Sequence, residues 1–374
     1  MKLLYHVSVT VLAFCIVGVL AEIAFNTAFL DPVAKTMQNF SMSDVYYQIL
    51  QETGNPDSND EIVIVDMSEL YNRQDIATVL ADIEKQKPRI VGADIVFEGL
   101  KEDCIGDSMI WEVADKYHNI VFSYRLFEYK DDETGYADAV HSFFAEPLDV
   151  EEGFTNMQRD LYSGIKRVTS IGKKYKGILR PSFITKVVNG YVGRDVVRTE
   201  ERDVTINFTP SDFRVIPFDS VKYHSAMLKD KLVLFGSMKE ETDMHYTPLG
   251  KIAGVELLAY SIQTLLEQKE VYELPLWLTV ILSFLLALLT QSGWTFYTDF
   301  AERKKNKFIR FCMSNSFTKA TLFFIWLSFI VWLAFIIFFK YDINFGLGLG
   351  LSGIAFLGLS RNFINECITI IKER

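Results

Sequence analysis

Asp243 and His245 stand two residues apart in a polar stretch that follows a short apolar run. On an extended chain that spacing sends both side chains the same way. A carboxylate beside an imidazole can exchange a proton or hold a small polar ligand or a cation. Two further aspartates belong to β-branched runs. Asp66 closes Ile62–Val65, and Asp94 lies within Ile90–Phe97. Carboxyl ends of parallel strands are where open α/β sheets bind ligands. Asp66, Asp94, Asp243 and His245 are therefore the candidate pocket. Arg125, after a third apolar run, and Arg167 are candidate anion ligands. Each residue also has a plainer reading. Aspartates cap helices and hold turns, and arginines in hairpins pair on the surface. His245 titrates near neutrality unless perturbed, so its loop is also a candidate pH sensor.

No catalytic set accompanies these residues. The sequence has no phosphate-binding loop, no nucleophile elbow and no His-Glu-x-x-His. Its cysteines are Cys15, Cys104, Cys312 and Cys367, and no Cys or His pair has zinc-site spacing. The expectation is a protein without catalysis, metal or cofactor. A tethered hydrolase using Asp66, Asp94 or Asp243 stays open as the second reading.

The elements that must position the candidates read as α/β. Leu232–Phe235 is a buried strand stopped by Gly236–Ser237. A polar loop with Asp243, His245, Thr247 and Pro248 follows. Gly254 then opens a helix with Val255, Leu258, Ile262 and Leu265 at helical spacing. Upstream, Ile62–Val65, Ile90–Phe97 and Ile120–Phe122 read as strands. Helices over Ile76–Ile83, ending before Pro88, and Met109–Tyr117 alternate with them. Alternation of this kind implies a mainly parallel mixed sheet flanked by helices. Gly153–Gly177 reads as antiparallel hairpins, in which Asn156 and Asp160 hold a turn. A helix from Phe183 closes at Asn189–Gly190, and Val204–Phe208 and Arg214–Phe218 read as further strands.

Charge and hydropathy divide the chain. Residues 26–275 carry 27 Lys+Arg against 42 Asp+Glu, a net of −15; the remainder carries 11 against 6, a net of +5. An acidic domain on basic apolar segments argues against nucleic acid or anionic lipid as that domain's partner. Residues 1–25 form an apolar segment long enough to span a bilayer, either an uncleaved anchor or a signal peptide. Residues 276–298, 320–339 and 343–360 are three further spans. A basic loop, residues 299–319, carries Arg303, Lys304, Lys305, Lys307 and Arg310, and residues 361–374 form a tail. Positive residues favour the cytoplasmic side. This places the loop, the tail and the N-terminus inside, and the acidic domain of residues 26–275 outside. Gly346 and Gly350 form a small-xxx-small pair, which suits either a homodimer contact or packing within the bundle.

One series is specific: Gly236, Asp243, Thr247–Pro248, Gly254–Val255–Glu256 and Leu265–Leu266, just before the spans. It resembles the end of a type-2 CHASE domain, an extracytoplasmic sensor module of bacterial receptors. Ile62–Asp66, Gly92–Phe97 and Gly153–Asn156 with Asp160, Gly164 and Arg167 agree in order. In this resemblance Thr247, Pro248 and Gly254 shape a turn. One departure is Leu258–Ala259, where many members carry His-Ala. The resemblance implies a sensor in a bacterial inner (cytoplasmic) membrane with its large domain outside, periplasmic where an outer membrane exists. Its ligand is an unknown small molecule or peptide. After Ser360 only RNFINECITIIKER remains, too small for an output enzyme, so a signal would pass to a separate membrane or cytoplasmic partner. A transporter is disfavoured, because ionisable groups that mark transport paths are scarce in the spans.

Overall fold

The computed structural model describes residues 2–26, 42–54, 57–156, 164–239 and 243–373. Asp160 lies outside the described residues. The chain divides into two compact units, Tyr47–Val271 and Met1–Tyr46 with Tyr272–Arg374.

In chain order the elements are α1 (Lys2–Asn26), α2 (Met42–Thr53), β1 (Asp57–Asp66), α3 (Arg73–Lys85), β2 (Ile90–Ala93), α4 (Cys104–Lys116), β3 (Ile120–Asp131), β4 (Gly135–Val140) and β5 (Glu152–Phe154). Then come β6 (Val168–Ser170), β7 (Gly172–Tyr175), β8 (Ile178–Pro181), α5 (Phe183–Val192), β9 (Asp203–Thr205), β10 (Ser211–Pro217), β11 (Leu232–Gly236), β12 (Met244–Thr247), β13 (Gly250–Ala253) and α6 (Gly254–Leu266). The second unit adds β14 (Tyr272–Glu273), α7 (Leu276–Glu302), α8 (Lys307–Ser314), α9 (Ser316–Tyr341), β15 (Ile343–Asn344) and α10 (Leu347–Glu373).

Among the described residues the first unit is built on a nine-stranded mixed sheet in the order β10-β1-β11-β2-β3-β4-β7-β8, with β5 beside β3. The five strands from β10 to β3 are parallel, and β4 turns the edge antiparallel. Val63 and Val65 of β1 pack with Ile76, Leu80 and Ile83 of α3 and Ile110 of α4. On the other face Gly92 abuts Leu234 of β11 and Phe183 and Val187 of α5. A parallel sheet covered on both faces needs unbroken apolar strands, which explains Ile62–Val65 and Leu232–Phe235. Each fully buried Leu or Ile in this core contributes roughly 1.5–3 kcal/mol.

Several boundaries differ from the sequence reading, each for a local reason. Strand β2 stops at Ala93, next to the end of β11, while Phe97 folds into the core against Phe122 and Phe144. Its amide donates to Ser142 Oγ at 3.1 Å. Helix α5 closes at Gly193, with φ +78, rather than at Asn189–Gly190. Gly190 packs on Ile90 instead, and Asn189 holds the following loop through Val196 and Val197. Among the described residues of Gly153–Gly177 only the β7–β8 turn is a tight hairpin. Strand β5 lies parallel to β3, and β6 pairs with the distant β9. The polar loop after β11 contains the β12–β13 hairpin, turned at Pro248–Leu249.

Among the described residues the second unit has four helices long and apolar enough to cross a membrane: α1, α7, α9 and α10. Lys2 pairs with Asp299 at 3.2 Å and Tyr5 donates to Asn365 at 2.8 Å. These contacts bring the start of α1, the end of α7 and the later part of α10 to one end. At the other end β14 pairs with β15. Helix α10 starts at Leu347 and runs unbroken to Glu373, so the expected short span and tail are one helix. Gly346 precedes that helix with φ +52. Gly350 packs on Ser283 and Leu286, and Gly353 on Phe14, so these glycines serve close packing within the chain.

Candidate functional site

Two of the candidate aspartates, Asp66 and Asp94, lie at the carboxyl edge of β1, β11 and β2. The register sets Asp66 opposite Gly236, and Ala93, the residue before Asp94, opposite Phe235. Asp66 and Asp94 therefore flank Gly236, roughly 10 Å apart across two strand spacings. The connections diverge here. The chain leaves β1 and β2 toward α3 and α4 on one face, and leaves β11 toward α6 on the other. Such a divergence opens the crevice in which α/β sheets bind ligands.

What occupies the edge is hydrogen bonding. Asp66 Oδ1 accepts from the amides of Ser68 (2.9 Å) and Met238 (3.1 Å) and from the Ser68 hydroxyl. Ser68 Oγ in turn accepts from the Met238 and Lys239 amides, both at 3.0 Å. Asp66 and Ser68 thus tie the loop after β1 to the loop after β11. The Asp94 amide donates to Phe235 O at 2.9 Å.

Asp243 sits at the start of α6. A Cβ on Gly254 would lie against the Asp243 carboxylate, so a larger residue there would force that side chain to move. A carboxylate there is stabilised by the positive end of the helix. His245 Nε2 lies 3.3 Å from Asp243 Oδ1. Glu256, in the first turn, bonds back to the Ala253 amide as in a capping box. Burial raises its carboxyl above the ordinary value, against the lowering by that bond. Gly236 admits the close approach of Val255, 2.8 Å from a built Cβ. Thr247 Oγ1 accepts from the Leu249 amide and donates to Gly250 O, fixing the Pro248 turn.

Sequence reasoning missed the strongest polar feature of this edge. Arg73, at the start of α3, pairs with Asp107 of α4, and both are buried. Arg73 also donates to Gly99 O (2.8 Å) and Glu98 O (3.1 Å), and lies over the rings of Phe97 and Phe143. Burial alone would raise the Asp107 carboxyl. The Arg73 guanidinium and the Lys101 amide outweigh it and hold the carboxyl below the ordinary value. Glu84, at the far end of α3, is the converse. Burial pushes it up to about 7, opposed only by a bond to Asn119. Neither pair stands at a motif spacing; the only signal was a charged residue on the apolar side of a helix.

Arg125 does not join the aspartates. It is exposed on the extension of β3, opposite Val140 of β4. Asn156 clamps the neighbouring backbone, accepting from the Leu126 amide at 2.6 Å and donating to its carbonyl at 2.9 Å. A cleft of about 220 Å³ lies between Tyr129, Tyr136, Lys174 and Arg202, and no candidate aspartate lines it. Two of its cations are already paired, Lys174 with Glu201 and Arg202 with Glu270, and Lys173 lies over the Tyr136 ring. Among the described residues no three His, Cys, Asp or Glu side chains gather to hold a metal ion.

With this geometry in place, comparison with known proteins is informative in one respect. The model of the CHASE2 domain family matches residues 11–293, from the first apolar helix into α7, and the chain belongs to that family. No curated protein and no solved structure matches it.

Proposed function

We propose, from its place in the CHASE2 family, that this chain is an integral membrane sensor or accessory signalling subunit. Its acidic α/β domain stands outside the cytoplasm of a bacterium, carried in the cytoplasmic membrane. It receives an unidentified small ligand or peptide and hands the signal to a separate protein.

The observation that carries this reading is the run of α6. The helix begins against the crevice, at Gly254 beside Asp243 and Gly236. It ends at a junction around Asn207. There the Asn207 amide donates to Thr264 Oγ1 at 3.0 Å and its side chain to Lys269 O at 3.2 Å. Tyr47, from the helix that follows the first span, packs edge-on against Phe208 at the same junction. Only residues 267–275 then separate α6 from the span α7. A displacement at the crevice thus has one rigid helix to travel along before the membrane. The hydrolase reading needs a free carboxylate, whereas Asp66 spends its Oδ1 on three donors.

The segments on the basic side of the spans are single helices: α8 between α7 and α9, and the later turns of α10. In this reading the partner takes up the signal there. A photo-crosslinking residue at Lys305 or Arg310, both exposed, tests this in native membranes. A second, recurrent protein is the expected product. Contacts with copies of the same chain alone would contradict the reading.

A further inference from the structure

In the membrane unit a cavity of about 210 Å³ opens between α7, α9 and α10. Gln291 and Trp294 line it from α7, Phe323 from α9, and Leu357, Gly358 and Arg361 from α10. Arg361 is the one ionisable residue in this wall. It has no ion pair and no hydrogen bond among the described residues. It stands about 21 Å along α10 from the start of the helix, short of the 30 Å or so of a bilayer core. Asn365, one turn later, meets Tyr5 near the Lys2–Asp299 end. Arg361 thus lies just inside the basic end of the bundle.

A cation at that depth is stabilised by a counter-charge. Gln291 adds a second unmet demand: its residue is 2% exposed and its amide nitrogen has no acceptor. Apart from Thr290, whose hydroxyl is engaged with Leu286 O and Trp326 Nε1, the rest of the wall is apolar and aromatic, and Trp294 and Phe323 meet edge to face at 6.0 Å. Gly358 leaves the space open, since a Cβ built on it meets nothing within 4 Å.

We propose that this cavity seats the phosphate and the upper part of one acyl chain of an anionic phospholipid of the leaflet on the basic side. Its phosphate pairs with Arg361, and an acyl chain lies along Phe323 and Leu357. The membrane supplies this anion at the right depth, and the apolar walls suit a lipid chain better than a hydrated ion. Arg303, Lys304, Lys305, Lys307 and Arg310 enrich the same side in anionic lipid.

The test is native mass spectrometry of the full-length protein offered equal amounts of phosphatidylglycerol and phosphatidylcholine. The wild type is expected to retain one phosphatidylglycerol with roughly fivefold preference, the effect of about one well-placed basic residue. Arg361→Gln should abolish the preference. Gly358→Leu, which keeps the charge and puts a side chain into the lumen from a position where a Cβ meets nothing, should do the same. Lys251→Gln, an exposed position in the α/β unit, should leave it intact. Equal retention of the two lipids by the wild type would overturn the proposal, as would an undiminished preference in Gly358→Leu. Inorganic phosphate should fail to displace the lipid; displacement would make the site one for free anions and also overturn it.

Discussion

The carboxyl edge of the sheet and the basic end of the membrane bundle treat polar groups in opposite ways. At the edge Asp66, Ser68, Arg73 and Asp107 are all engaged, mostly with backbone groups of neighbouring loops. In the bundle the Gln291 amide nitrogen and the Ser360 hydroxyl are buried with no partner, and Arg361 has no counter-charge. A satisfied polar group stabilises a fold; an unsatisfied one costs free energy until something binds it. The difference teaches where to look for structural and for binding roles. At the edge chemistry-bearing residues hold loops in place, whereas in the bundle less conspicuous residues await a partner.

Substitutions at the two regions should therefore move stability in different directions. The largest loss is expected from Asp107→Ala, which strands the buried Arg73 guanidinium. Breaking such a pair costs roughly 3–5 kcal/mol, measurable as a lowered free energy of unfolding by hydrogen exchange of the domain's amides. Next is Gly254→Ala, which forces a methyl group onto the Asp243 carboxylate at a cost of roughly 1–3 kcal/mol. Adding Asp243→Ala should restore part of that loss. Additive effects in the double variant would show that the two residues do not press on one another.

Glu84 gives a pH-dependent contrast within the same domain. Its carboxyl is raised from 4.5 to about 7, so the folded state binds more protons than the unfolded state between those values. Its contribution to stability is full below pH 4.5 and is lost as pH rises through about 7. Glu84→Gln should raise stability above that range and flatten the slope below it, read by unfolding at several pH values. The smallest effect belongs to the bundle. Ser360→Ala removes a buried hydroxyl without a partner, so thermal stability in micelles should stay level or rise slightly. A clear fall would mean that Ser360 has a partner and would erase the contrast.

The fold was legible where both faces of an element are buried. Ile62–Val65 and Leu232–Phe235 carry their apolar runs in the sequence, and they became adjacent parallel strands. Their adjacency was not legible, because it depends on β11 inserting between β1 and β2 long after both are made. Phe97 looked like strand and is core, since an apolar side chain can be buried from a loop as well as from a ladder. At the site, the positions of Asp66 and Asp94 beside strand ends could be read from the sequence alone. Arg73 and Asp107 could not, because charges on amphipathic helices read as solvated until the packing is known. Arg361 was hidden by the glycines before it, which shortened the apparent span; in the structure α10 continues through them.

The most direct measurement uses cysteines already in the chain. Cys104 is exposed in the α/β unit, and Cys312 is exposed in α8 within the basic loop. Variants retaining one or the other would be treated, in intact cells, with a maleimide that cannot cross the cytoplasmic membrane. Cys104 should react at once, and Cys312 only after the membrane is opened. Reaction of Cys312 in intact cells with protection of Cys104 would invert the topology and contradict a sensor that faces outward.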